Sequence, residues 1–132
     1  MVNLPDDVVR MIKNPDTNKC MATTSADGTA HPIVCGSLTV GESDTIIFGE
    51  VFINQTKQNL ERDPRAEFIL WKGRESYTIK ATAIERLESG PAYDKMNMML
   101  GKMNMSFIAV WVFKADSVWD SSATNTAGTR VV

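Results

Sequence analysis

One histidine and two cysteines in 132 residues leave too few of those ligands for a Cys/His zinc site. Any Ser-His-Asp or Cys-His arrangement must use His31, and no second feature converges on it, so it is assigned no role and no metal is expected. Long apolar runs are missing too; none approaches the roughly 20 residues of a membrane span, so no membrane partner is expected. There is no basic block, and a net charge of −2 argues against duplex DNA or RNA as a partner. The amino terminus, MVNLPDDVVRMIKN, lacks the basic-then-apolar order of a signal peptide, which makes the cytoplasm the expected compartment. Repeats and linkers are absent. One domain over residues 1–120 is expected, followed by an aperiodic tail, 121–132, that is flexible or draped on a partner.

What remains reads as a β-rich globular chain with 43% hydrophobic and 23% charged residues. Residues 5–13 read as a helix, with Pro5 at its start, Asp6 and Asp7 at its positive end, and Val8, Val9, Met11 and Ile12 as apolar positions. Strands are expected at 19–25, 30–40, 45–51, 66–72, 75–87 and 106–119. A polar helix is expected at 54–62 between the third and fourth strands, capped by Asn54, and a methionine-rich one at 91–103 before the last. Six strands at hairpin-like spacing with three short helices predict a small antiparallel barrel.

Asp27-Gly28 between the first two strands is a strong hairpin signal. If these are the two loop residues, facing positions sum to about 55 for a two-residue loop, placing Pro32 opposite Thr23 and Cys20 opposite Cys35. A disulfide fits that register, but reduced, buried thiols are the expectation for a cytosolic chain.

Two features carry candidate chemistry. Asn54, Gln55, Thr56 and Lys57 bring a polar cap, free helix N–H groups and a cation to one place, which suits a phosphate. The competing explanation is an ordinary helix cap. Gly36 and Gly49 sit in neighbouring strands, either as close-approach positions for a flat ring or as bulges that curl the barrel. The methionines at 96, 98, 99, 103 and 105 have the spacing of core or subunit-interface packing.

The run Gln55-Thr56-Lys57-Gln58-Asn59-Leu60-Glu61-Arg62-Asp63-Pro64-Arg65, followed by an apolar strand, the long strand at 75–87 and Gly90-Pro91-Ala92-Tyr93, resembles the pyridoxamine 5′-phosphate oxidase-like FMN-binding split barrels. The likeness extends over residues 4 to 120 and is greatest to the small free-standing FMN-binding proteins of that family. It implies a six-stranded antiparallel Greek-key split barrel that forms a homodimer, with FMN at the subunit interface. The ring position maps to Val34, Cys35, Gly36 and Ser37 and to Phe48, Gly49, Glu50 and Val51. The phosphate maps to Asn54, Gln55, Thr56 and Lys57, and Trp111 and Trp119 map to the partner's cover over the ring.

Gln55 stands where the family most often has lysine, which removes a charge-assisted contact; Lys72, Arg74 and Lys80 are candidates to replace it. The implied activity is electron or hydride transfer between flavin and an unknown partner or substrate. No side chain is marked as an acid or base. The alternatives are F420 or haem in the same place, or a cofactor-free module for dimerisation or sensing. Oxidation of a vitamin B6 phosphate would need further basic residues that the chain does not supply.

Overall fold

A computed structural model describes residues 1–132. Its first hairpin joins β1 (Asn18–Thr24) to β2 (Ala30–Val34) through a loop one residue longer than the Asp-Gly signal predicts. Only Gly28 has a left-handed backbone, φ +87°, whereas a two-residue type I′ turn needs two such residues. The Ser25 amide donates to the Thr29 carbonyl at 2.8 Å, leaving residues 26–28 as the loop. Asp27 Oδ1 locks it by accepting from the Thr29 amide and hydroxyl at 3.1 and 2.6 Å.

The register therefore pairs Ala22 with Pro32 and Cys20 with Val34, correcting the expected facing pairs by one residue. A one-residue slip exchanges the faces of a strand. Val34 consequently points outward and is 84% exposed, while Cys35 turns inward opposite Lys19. Cys20 and Cys35 lie on opposite faces, and both thiols are free.

The expected single strand at 30–40 is two strands, β2 and β3 (Leu38–Val40), so the sheet has seven strands and not six. The chain changes partners between them. The Cys35 amide donates to the Lys19 carbonyl of β1 at 3.0 Å, and the Ser37 carbonyl accepts from the Gly49 amide of β4 (Ile46–Gly49) at 2.8 Å. Gly36 lies at the bend, where an added Cβ would meet nothing within 4 Å.

With β5 (Arg65–Lys72), β6 (Glu75–Leu87) and β7 (Val110–Asp120), the antiparallel order is β2-β1-β5-β6-β7-β4-β3. Its two edges are thus consecutive pieces of chain. The β4–β7 ladder runs regularly to Gly49 and the β3–β4 ladder to Phe48, so the bulges that help curl the sheet lie in the β6–β7 ladder, between Lys80 and Ala81 and between Ala83 and Glu85.

Phe48, Phe68 and Phe113 fill the centre, the last two edge to face with centroids 5.1 Å apart. Each such ring contributes about 2–3 kcal/mol by burial. Helix α1 (Asp6–Lys13) turns Val8, Met11 and Ile12 into this core against β3 and β5. Helix α2 (Asn54–Arg62) rests on β1, where Asn59 Nδ2 donates to Thr23 Oγ1 at 3.0 Å. Helix α3 (Pro91–Gly101) buries Met96 and Leu100 against β4 and β7. Residues 121–132, expected to be mobile or partner-draped, double back on their own chain: the Asp120 amide donates to the Thr129 carbonyl and the Val131 amide to the Val118 carbonyl, each at 2.8 Å. No helix is long and apolar enough to cross a membrane.

Gly28→Ala forces a side chain into the left-handed region and is expected to destabilise the protein by about 1 kcal/mol. Gly36→Ala, in open space at an ordinary φ, is expected to be near neutral. Thermal melting of both variants checks the contrast, and equal losses would contradict a left-handed loop position beside an open bend.

Candidate functional site

The amino end of α2 opens beside the end of β4. Its cap position is Ile53, not the expected Asn54, and no side chain closes the helix. The Lys57 amide is the first in this turn to find a backbone acceptor, Ile53 O at 2.8 Å. The amides of Asn54, Gln55 and Thr56 have none. Thr56 is buried, and its hydroxyl has no partner either. Three free N–H groups, an unsatisfied buried hydroxyl and the positive end of a helix dipole make this a place for anionic oxygen.

Gln55 does not face that end. Its Nε2 donates toward the carboxyl end of the helix, to Asn59 Oδ1 at 3.0 Å, and Arg62 donates to the same oxygen at 3.1 Å. Lys57 follows one position after Thr56 and is half-buried. None of Lys72, Arg74 and Lys80 lines the adjoining cleft; Lys80 lies over Trp119 instead, 5.4 Å from the ring centroid.

That cleft holds about 220 Å³ and runs from Val34, Gly36 and Ser37 past Phe48, Gly49 and Val51 to Phe52 and Ile53, with Met103 and Met105 along one side. Gly36 leaves it open. Gly49 does not, because a Cβ there would meet Met96 Sδ at 3.1 Å and Ser37 Cβ at 3.2 Å. Close approach at Gly49 is thus made by the chain's own side chains. Ser37 Oγ also donates to the Gly49 carbonyl at 2.9 Å, which holds β3 and β4 together beneath the cleft. Cys35 turns from the cleft into a neighbouring cavity. Phe52 is fully exposed at the rim.

Glu50 follows β4 and lies between it and α2, 3% exposed. Arg86 grips it with Nε at 3.1 Å and a terminal nitrogen at 2.8 Å, and Trp111 Nε1 donates to it at 3.0 Å. Burial pushes its carboxyl pKa up, but the bonds from Arg86 and Trp111 and the charges of Arg86 and Lys57 outweigh this and hold it below the ordinary value. Glu50 is therefore an ionised tether and not a proton acceptor in waiting. Trp111 is buried in its own chain with its N–H committed to this tether. Trp119 is half-buried near the end of β7, its N–H given to Ser117 Oγ at 2.9 Å.

The structure brings Val34, Gly36, Ser37, Phe48, Gly49 and Val51 around one cleft and places the 54–57 turn immediately beyond Phe52 and Ile53. Arg86, Phe52 and Met105 are neighbours that the sequence did not reveal. Arg86 is 36 positions from Glu50, and only the β6–β7–β4 stacking joins them.

No protein-family model and no curated protein matches the sequence. Solved structures do match in three dimensions. HupZ of Group A Streptococcus superposes with a TM-score of 0.81 at 18% identity, over 98% of this chain and 99% of that one. An FMN-binding protein from Syntrophomonas wolfei gives 0.75 at 16% identity, over 90% and 89%. A Lactobacillus delbrueckii protein named after pyridoxamine 5′-phosphate oxidase gives 0.69 at 23% identity, over 89% and 93%. The architecture is therefore that of the pyridoxamine 5′-phosphate oxidase-like split barrels.

Arg86→Met leaves Glu50 buried with one neutral donor and is expected to cost about 3 kcal/mol at neutral pH. A carboxylate whose folded pKa is depressed stabilises the fold above its unfolded pKa, roughly 4.3, and that stabilisation is lost as pH falls through the folded pKa. Denaturant midpoints measured from pH 7 to pH 3 should show the gap between wild type and variant shrinking toward acid.

Proposed function

We propose that this chain is a cytoplasmic, homodimeric flavoprotein. FMN lies in the Gly36 cleft with its phosphate at the amino end of α2, and the protein passes electrons or hydride to a partner or small substrate. The observation that carries the reading is the run of unpartnered groups at Asn54, Gln55 and Thr56: three free amides and one buried hydroxyl at the end of a cleft. The FMN-binding protein from S. wolfei shares the whole architecture, which supports FMN as the ligand to test first.

In this reading the amides of residues 54–56 bond phosphate oxygens, and Lys57 supplies the nearest positive charge on the helix. The open backbone at Gly36 lets a flat ring lie close to β2 and β3. Bound flavin supplies the redox chemistry, and the protein supplies position, polarity and exclusion of water. A cleft of about 220 Å³ is too small to enclose a ligand of that size, which typically takes roughly 300–1,000 Å³. A second copy laid on the exposed side chains of Val34, Phe52 and Met105 completes the enclosure. With Trp111 sealed in its own core, the partner's cover falls to other residues, Trp119 among them. A vitamin B6 phosphate substrate is disfavoured, since the cleft lining includes no lysine or arginine.

One observation favours a second reading. Gln55 is turned away, so the phosphate end has less positive charge than the family's usual lysine provides. The deazaflavin F420, or a role without redox turnover, fits that weakness; an F420 reductase shares the fold at a TM-score of 0.67 and 12% identity.

Titration of the purified protein with FMN, read by absorbance and fluorescence quenching, is expected to show saturable binding. Gln55→Lys should tighten it about tenfold, or 1.4 kcal/mol. Gly36→Val should weaken it without lowering the melting temperature. No saturable binding by wild type, or no effect of either variant, rejects FMN at this place, and F420 in the same titration then decides the second reading.

A further inference from the structure

The largest cavity in the molecule, about 570 Å³, is on the other side of the 35–37 crossing from the Gly36 cleft. The carboxyl end of α1, the start of β1 and Met99 of α3 line it, and it is open to solvent on one side. Ile12, Leu38, Trp71 and Met99 give it apolar walls. Lys19 also lines it, and is unusual in being only 8% exposed. Its ammonium has three donors, of which the Asn14 carbonyl takes one at 3.3 Å. No carboxylate lies within salt-bridge distance.

Three further observations show that this charge is not answered by the protein. No aspartate or glutamate lines the cavity, although the chain as a whole is acidic, and the other charged residue there is Lys13. Thr17, 7% exposed, presents a buried hydroxyl with no partner in the same lining. Cys35, opposite Lys19, is not a counter-ion, because burial pushes its thiol up to about 12 and keeps it neutral. An unpaired buried ammonium and an orphaned hydroxyl each carry a desolvation penalty that a ligand's oxygen atoms would relieve.

We infer that this cavity is a second ligand site, for a small monocarboxylate with an apolar body, its carboxylate held by Lys19 and Thr17. One buried cation and one hydroxyl match a single negative charge better than a phosphate dianion, which usually draws several donors. The apolar walls match an aromatic or branched aliphatic body. The cavity is distinct from the cleft beside Gly49 but shares Val34, Gly36 and Met103 with it.

Amide NMR shifts of the ¹⁵N-labelled full chain, with and without FMN, test this during titration with phenylacetate, benzoate and hexanoate and with their neutral amides. The acids are expected to shift Thr17, Lys19 and Cys35 saturably, at least about tenfold more tightly than the matching amides. Lys19→Met should remove the preference for acid over amide, and Thr17→Val should weaken the acids several-fold. If the acids shift residues 54–57 instead, bind no better than their amides, or give no saturable shift, the assignment is overturned. The comparison of acid with amide on wild type stands even if a variant folds poorly, which a thermal melt would reveal.

Discussion

Everything in this molecule depends on one exchange of hydrogen bonds. At Cys35 the backbone still bonds to β1, and at Ser37 it bonds to β4. Between them only Gly36 is free of both ladders, so a single residue carries the chain from one edge of the curled sheet to the other. Bringing the edges together in this way shortens the open strand edge, which in a sheet of this length is otherwise a site of unwanted pairing. It also sets a thin partition between two hollows: the cleft that leads to α2 lies on one side and the cavity around Lys19 on the other.

The same segment ties the barrel to its chemistry. Ser37 fastens β3 to β4, β4 ends beside Glu50, and Glu50 is gripped by Arg86 and Trp111 from β6 and β7. The turn from β4 into α2 is thereby fixed from both sides. Anchorage of this kind limits how far the start of α2, with its three unbonded amides, can shift.

Much of this is legible in the sequence, and the failures have identifiable causes. Alternation and turn residues mark most of the strands and all three helices, and the run from Gln55 to Arg65, with the strands and the Gly90-Pro91 turn that follow it, carries the resemblance to the split barrel. The expected hairpin register is off by one because Asp-Gly serves both two-residue and three-residue loops, and only the backbone angle of Asp27 separates them. The break at Gly36 does not read as a change of strand because a glycine inside such a run signals a bulge or a close approach equally well. Gln55 reads as the weak point of the phosphate site, and its bond to Asn59 is an i,i+4 pairing that a helix over 54–62 permits but does not require. The Glu50–Arg86 pair and the Lys19 cavity depend on contacts between distant positions that no local pattern encodes.

Phe52 stands in a left-handed conformation, φ +53°, with its ring wholly in water, just before the Ile53 cap of α2. A non-glycine residue held there costs about 1–3 kcal/mol, and exposure offsets none of it. That strain is incurred once, when the chain folds. Whatever docks on this rim meets an aromatic ring whose backbone is already set, and loses little entropy in ordering it. The strain is the same with or without a docked surface, so what a partner gains is a ring whose placement is already fixed.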